Sequence, residues 1–181
     1  MRPWLGYRFA AVLLALLPCV GVAQTVKPTI SAIVNVASYG AGPIAPGEMV
    51  AIFGSAMGPP QLVNLQLDAQ GKVATTLAEV QVLFDGTAAP LIYVSQTQIS
   101  AMVPYGVAGK NTTQVQVVYR GIASDAFSKA VAQSAPGLFS ADASGKGQAA
   151  INNSDGSPNS SANPAAPGSW HTKPCPAARR R

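Results

Sequence analysis

Apolar and polar positions alternate in short bursts along this chain, and the bursts are separated by glycine, proline, asparagine and serine. The clearest burst runs over residues 79–85, where Val80, Val82 and Phe84 alternate with Glu79, Gln81 and Asp85, and only Leu83 is out of step. A period of two is that of a strand with one face in a core. Ile99, Ala101 and Val103 repeat it against Gln98 and Ser100 until Pro104 ends the run. Val115, Val117 and Tyr119 repeat it against Gln114, Gln116 and Arg120. Residues 30–36 form a further β-rich burst, and residues 91–94 and 126–131 predict two more strands. Residues 49–53 are apolar at every position, the pattern of a strand in the middle of a sandwich.

The punctuation fits these elements. Asp85-Gly86 predicts a tight hairpin turn, with residues 91–94 as the return strand, because Asp tolerates and Gly favours positive φ. Gly54 and Gly58-Pro59-Pro60 end the strand over 49–53, and Gly121 turns the chain towards its last strand. Residues 61–76 read as a connecting loop with one irregular edge strand. Residues 148–152 are a candidate further strand, and the Asn, Ser, Pro and Gly over residues 153–167 predict an extended loop. The expected fold is therefore all-β, an immunoglobulin-like sandwich of about seven short strands.

With 181 residues, 48% of them hydrophobic, the chain has the material for one domain with a closed core. Cys19 and Cys175 both fall outside the expected strands, so no internal disulfide is expected and stability must come from burial. The first residues read as a secretory signal. Arg2 and Arg8 supply a positive start, residues 9–17 an apolar stretch, and Gly21-Val22-Ala23 a small-residue cleavage site. Cleavage after Ala23 is expected, giving a signal peptide over 1–23 and a module over 24–168. The competing reading is a membrane anchor, because the uncharged run over 9–25 approaches the ~18 residues needed to span; Pro18 favours cleavage. The expected location is outside the cell or in the periplasm, with no membrane span after cleavage.

The formal charge of +5 suggests nucleic acid until its distribution is read. Residues 24–168 hold Lys27, Lys72, Lys110, Arg120, Lys129 and Lys146 against all seven acids of the chain, a net charge of −1. The excess of base lies in the signal and in Lys173, Arg179, Arg180 and Arg181. Scattered bases on a slightly acidic module offer no electrostatic footprint for phosphate, so no nucleic-acid partner is expected.

Several blocks carry a family resemblance. Ile33-Val34-Asn35-Val36-Ala37-Ser38, Ala45-Pro46-Gly47-Glu48-Met49-Val50-Ala51-Ile52-Phe53-Gly54 and Val82-Leu83-Phe84-Asp85-Gly86 are three of them. Ala89-Pro90-Leu91-Ile92-Tyr93-Val94-Ser95, Gln98-Ile99-Ser100-Ala101-Met102-Val103-Pro104-Tyr105, Ser134-Ala135-Pro136-Gly137-Leu138-Phe139 and Gly147-Gln148-Ala149-Ala150 are the others. Together they resemble the Solibacter-type uncharacterised C-terminal domain found at the ends of secreted bacterial proteins. Pro46-Gly47, Ile52-Phe53-Gly54 and Met57-Gly58, with the strand over 98–104, also resemble an IPT/TIG immunoglobulin-like domain. The resemblance implies a β-sandwich used as an extracellular module, and defines no catalytic residues. Members of the first family continue past Ala162-Asn163-Pro164-Ala165 and Gly168-Ser169 into further strands. Residues 169–181 instead turn rich in Pro and Arg, with no β period. A frameshift or truncated gene is expected there, against a natural basic tail.

Residues suited to catalysis or metal binding are few. A Ser-His-Asp triad needs a histidine, and the one present, His171, lies in the basic tail. One His with two Cys does not supply a zinc or copper site. Around Gly145-Lys146-Gly147, Ser140 stands where a phosphate loop needs its first glycine. Asn153, Asp155 and Gly156 echo a calcium loop, but Ile151 and Ala162 occupy its first and last ligand positions. Glu48, Glu79, Asp85 and Asp125 are candidates for a glycosidase pair, with solvated turn acids as the favoured reading. Tyr39, Tyr93, Tyr105 and Tyr119 are candidates for a sugar platform, with core and edge packing favoured. No catalytic, cofactor or metal residue is assigned. The expected function is a secreted noncatalytic module with a structural, adhesive or protein-interaction role, its partner an extracellular protein or a polysaccharide. The alternative is a carbohydrate-binding module of a larger protein.

Overall fold

The structure is a computed structural model that describes residues 26–164. The expected signal peptide and basic tail therefore lie outside the described residues. Among the described residues ten strands form two antiparallel sheets. The first sheet contains β1 (Thr29–Asn35), β2 (Met49–Ser55), β3 (Val63–Asn64), β6 (Leu91–Val94) and β7 (Gln98–Met102), in the order β1-β2-β7-β6-β3. The second contains β4 (Val80–Phe84), β5 (Thr87–Ala88), β8 (Thr112–Tyr119) and β10 (Phe127–Ala130), in the order β10-β8-β4-β5. The two-residue strand β9 (Ile122–Ala123) pairs with the far part of β8. Among the described residues seven strands have four or more residues, and they match the seven predicted from the apolar pattern and its turns.

The core forms where the inward residues of the two sheets meet. Ile33, Val50, Ile52, Leu91, Val94 and Ile99 of the first sheet pack with Val80, Val82, Phe84, Val115 and Val117 of the second. All of these are buried, and at roughly 1.5–3 kcal/mol per large apolar side chain they supply the main drive to fold. The middle position expected of residues 49–53 is observed, since β2 is paired on one side with β1 and on the other with β7.

Two expectations need correction. The turn at Asp85-Gly86 forms, with positive φ at both residues, but its return strand is the short β5, not residues 91–94. Ala89 still donates to the Val82 carbonyl; Pro90 has no N–H to continue the ladder. There the chain crosses between sheets, and β6 pairs with β7 and β3. The candidate strand over 148–152 is also absent among the described residues. That stretch makes only single bridges, Ser140 to Ala149 and Asn152 to Pro158, inside a run of turns.

One seam between the sheets is closed by unexpected means. Ile44 lies parallel to Val131, its N–H on the Ala130 carbonyl and its own carbonyl accepting from Ala132. Beside it, the Lys129 side chain leaves β10 on the inward face and donates to the carbonyls of Ile33, at 2.7 Å, and Ala41, at 2.9 Å. Lys129 is only 9% exposed, so it joins β1 to β10 as a side-chain rung.

Candidate binding surface at the loop end of the sandwich

The loops that leave β1, β7 and β10 meet at one end of the sandwich, and this end holds two of the larger depressions among the described residues. One, of about 440 Å³, has Val36, Ala45, Pro46, Met49, Pro136 and Phe139 in its wall, with Glu48, Gln133 and Ser134 as polar groups. The second, of about 460 Å³, shares Pro46 and Gln133 with it and is lined further by Lys110 and Asn111.

The frame of the first depression is one hydrogen-bond network. Asn35, the last residue of β1, accepts the N–H groups of Ala37 and Ser38 on its Oδ1, which folds the chain back after the strand. Its Nδ2 donates to Glu48 Oε1 at 2.8 Å and to the Ala135 carbonyl at 3.2 Å. The other Glu48 oxygen accepts the Ala45 N–H at 2.6 Å. One amide thus ties together the strand, the Ala45-Pro46-Gly47-Glu48 turn and the segment leaving the sandwich. The approach is close: a Cβ on Gly137 would stand 2.2 Å from Asn35 Oδ1, so a side chain there would push the exit segment off the network. Lys129 lies behind this network. Burial lowers the pKa of its ammonium, and the charge of Glu48 opposes that shift in part.

Gly47 has φ of +76° and donates to the Val103 carbonyl, while Val103 donates to the Glu48 carbonyl. These bonds fix the turn against the end of β7. The hydroxyl of Tyr105 lies directly over Gly47, where a Cβ would come within 2.7 Å of it. The Tyr105 side chain is otherwise open, with the residue 77% exposed, and Leu138 and Phe139 are exposed close by in sequence to the exit segment. The result is a rigid concave end with an apolar, aromatic rim.

The four acids weighed as a glycosidase pair are not brought together. Asp85 accepts from Lys110, Thr113 and the Gln114 N–H, and these bonds lower its pKa from 3.8 to about 2. Glu79 pairs with Arg120, Asp125 with Lys27, and Glu48 belongs to the Asn35 network. Among the described residues no three of His, Cys, Asp and Glu group as metal ligands.

The four tyrosines are likewise divided. Tyr105 is at the loop end. Tyr119 packs against the core near the opposite end, with the Arg120 guanidinium 5.1 Å from its ring centre. Tyr93 projects from the first sheet away from the core and accepts from Gln98 Nε2 at 2.7 Å. Its pKa is raised, first by burial and then by the neighbouring phenol of Tyr39. Only Tyr39 and Tyr93 are neighbours, so the four do not form a single platform.

Sequence reading missed Asn35 and Lys129. The signal for Lys129 was present, since it alternates with Phe127 and Val131 and so shares their inward face. Asn35 carried no such signal, because its partners come from residues 37, 38, 48 and 135 and meet only in the folded chain.

No curated protein matches this chain. A family model described as the IPT/TIG domain matches residues 28–132, which is more than half of the chain and spans the sandwich from β1 to the end of β10. The chain belongs to the IPT/TIG domain family of immunoglobulin-like β-sandwiches.

Proposed function

We propose that this chain is a secreted, noncatalytic module that binds another extracellular protein through the loop end of its sandwich. IPT/TIG domains are in general noncatalytic immunoglobulin-like modules for protein interaction. The observation that carries the reading here is the concave apolar end itself, framed by Asn35 and Glu48 and rimmed by exposed Tyr105 and Phe139. Aromatic side chains on a rigid frame are what protein interfaces are enriched in. Export rests on the charged and apolar pattern of residues 1–23, and the resemblance to the Solibacter-type domain of secreted proteins supports the same location.

The test places a photo-crosslinking residue at Tyr105 in the secreted chain. The mature protein is expected to begin at Gln24 by mass spectrometry and to form a discrete adduct with another protein. The same adduct should be lost in Phe139→Ala without a change in melting temperature. Retention on an insoluble polysaccharide with no protein adduct would refute the reading, as would a mature protein still carrying residues 1–23.

A further inference from the structure

Two hollows at the loop end share a single charged residue. Among the described residues Glu48 is the one charged side chain lining the depression of about 440 Å³. It is also the one charged side chain lining a smaller hollow of about 200 Å³, whose wall includes Ser38, Gly40 and Pro43. Asn35 lines both as well, so the hydrogen-bonded pair of Asn35 and Glu48 is common to the two.

This half-buried carboxylate has no cation bonded to it. Among the described residues the three ion pairs take Asp85, Glu79 and Asp125. Lys110, in the neighbouring depression, is held by Asp85 at 2.8 Å. Lys129, behind the network, donates to the carbonyls of Ile33 and Ala41 and not to Glu48, so it offsets the Glu48 charge only from a distance. Each Glu48 oxygen accepts one bond from a neutral donor, Asn35 Nδ2 at 2.8 Å and the Ala45 N–H at 2.6 Å. A carboxylate has about four acceptor positions, so both oxygens keep capacity for another donor. Withdrawing a carboxylate from water without a partner cation is costly, and a cation that arrives with a ligand recovers that cost through charge-assisted bonds.

We infer that the larger of these two hollows receives an arginine side chain of the partner protein. The inference rests on the protein-interaction reading above and deepens it. Three properties select arginine. Its guanidinium presents parallel N–H groups, which suit two carboxylate oxygens that each retain an acceptor position. Its plane stacks on aromatic rings, and Phe139, 58% exposed, stands in the wall of the same depression. Its methylene stem packs on apolar surface, supplied here by Val36, Pro46 and Met49.

Other side chains satisfy fewer of these conditions. Lysine shares the charge and the stem but has neither the fork nor the plane. An apolar side chain would cover Glu48 and deepen its desolvation, and an acidic one would be repelled.

The test titrates the isotope-labelled full mature chain with acetyl-Gly-Arg-Gly-amide up to about 50 mM, followed by NMR. The same peptide with lysine, or with citrulline, which has the shape of arginine without its charge, is run alongside. The arginine peptide is expected to shift the Asn35 side-chain amide and the Ala45 N–H saturably, with a dissociation constant of about 1 to 10 mM. Citrulline should bind at least about tenfold more weakly, and lysine about threefold more weakly. Glu48→Gln should weaken the arginine peptide at least about tenfold. Because that variant also loses an acceptor of the Asn35 network, the dispersion of its amide spectrum checks the fold. Phe139→Ala leaves the network whole and should weaken the peptide about threefold. Equal binding of arginine and citrulline, a preference for lysine, shifts confined to other surfaces, or no shift up to about 50 mM each overturn the proposal. A Tyr105 adduct that still forms in that event leaves the protein-interaction reading standing, and its absence overturns both.

Discussion

Asp85 offers the sharpest test of the physical account, because its role is electrostatic and its backbone is special. It occupies the first position of a turn with φ of +47°, followed by Gly86 at +82°. Its carboxylate reaches across to the start of β8, accepting the Gln114 N–H at 2.7 Å, the Thr113 hydroxyl at 2.9 Å and the Lys110 ammonium at 2.8 Å. The backbone bond contributes most to the fall in its pKa from 3.8 to about 2, followed by the bond from Lys110. At 1.36 kcal/mol per unit this amounts to roughly 2 kcal/mol. The side chain is 27% exposed, and screening by water reduces the figure to about 1 kcal/mol.

An asparagine side chain keeps the shape of aspartate and tolerates positive φ, so Asp85→Asn isolates the charge and should destabilise by about 1 kcal/mol near neutral pH. Asp85→Ala should cost about 1 kcal/mol more, from the left-handed backbone conformation. A carboxylate with a depressed folded pKa contributes fully above its unfolded value of 3.8 and loses that contribution as pH falls towards about 2. Urea unfolding followed by circular dichroism at neutral pH, at about pH 4 and at about pH 2 should show the Asp85→Asn deficit falling to a small remainder at the acid end, where the folded carboxylate is about half protonated. A deficit that is independent of pH, or absent at neutral pH, refutes the argument.

Other positions give equally direct outcomes. Gly54→Ala places a Cβ where the Thr29 carbonyl stands only 1.9 Å away, so β1 must shift and stability should fall by about 3 kcal/mol in a denaturant titration. Ala78 and Glu79 both have positive φ in the two-residue turn between Leu77 and Val80. Replacing them with Asn and Gly should therefore raise stability by about 1 kcal/mol, and an unchanged or lower melting temperature would refute this. Asn35→Ala removes four hydrogen bonds at the loop end and should destabilise by about 2 to 3 kcal/mol. It should also make the chain beyond Gln133 cleavable by protease before the sandwich unfolds, and cleavage no faster than in the parent chain would count against the network.

The apolar pattern located the seven longer strands because each buries side chains in a common core, by alternation in β4 and β8 and by a continuous apolar run in β2, and that constraint is written locally. The sheet in which a strand sits is not local information. Leu91 to Val94 looks like the partner of β4, and only the missing N–H of Pro90 and the pairing with β7 and β3 send it to the other sheet. Strands β3, β5 and β9 have two residues each, too few to show any period. The loop end was legible only as turns. Its frame depends on one amide whose four bonds reach residues up to 100 positions away.

The seam at Lys129 has a mechanical meaning. There the ammonium of Lys129 ties the last long strand to β1 at Ile33, and Ile44, in the connection after β1, makes parallel bonds with residues 130–132. Tension applied through the two chain ends would load these parallel bonds in shear, together and not one after another. Resistance to stretching should therefore reside in this short clamp more than in the hydrophobic interior, so that Lys129→Ala would lower the unfolding force far more than its effect on equilibrium stability suggests.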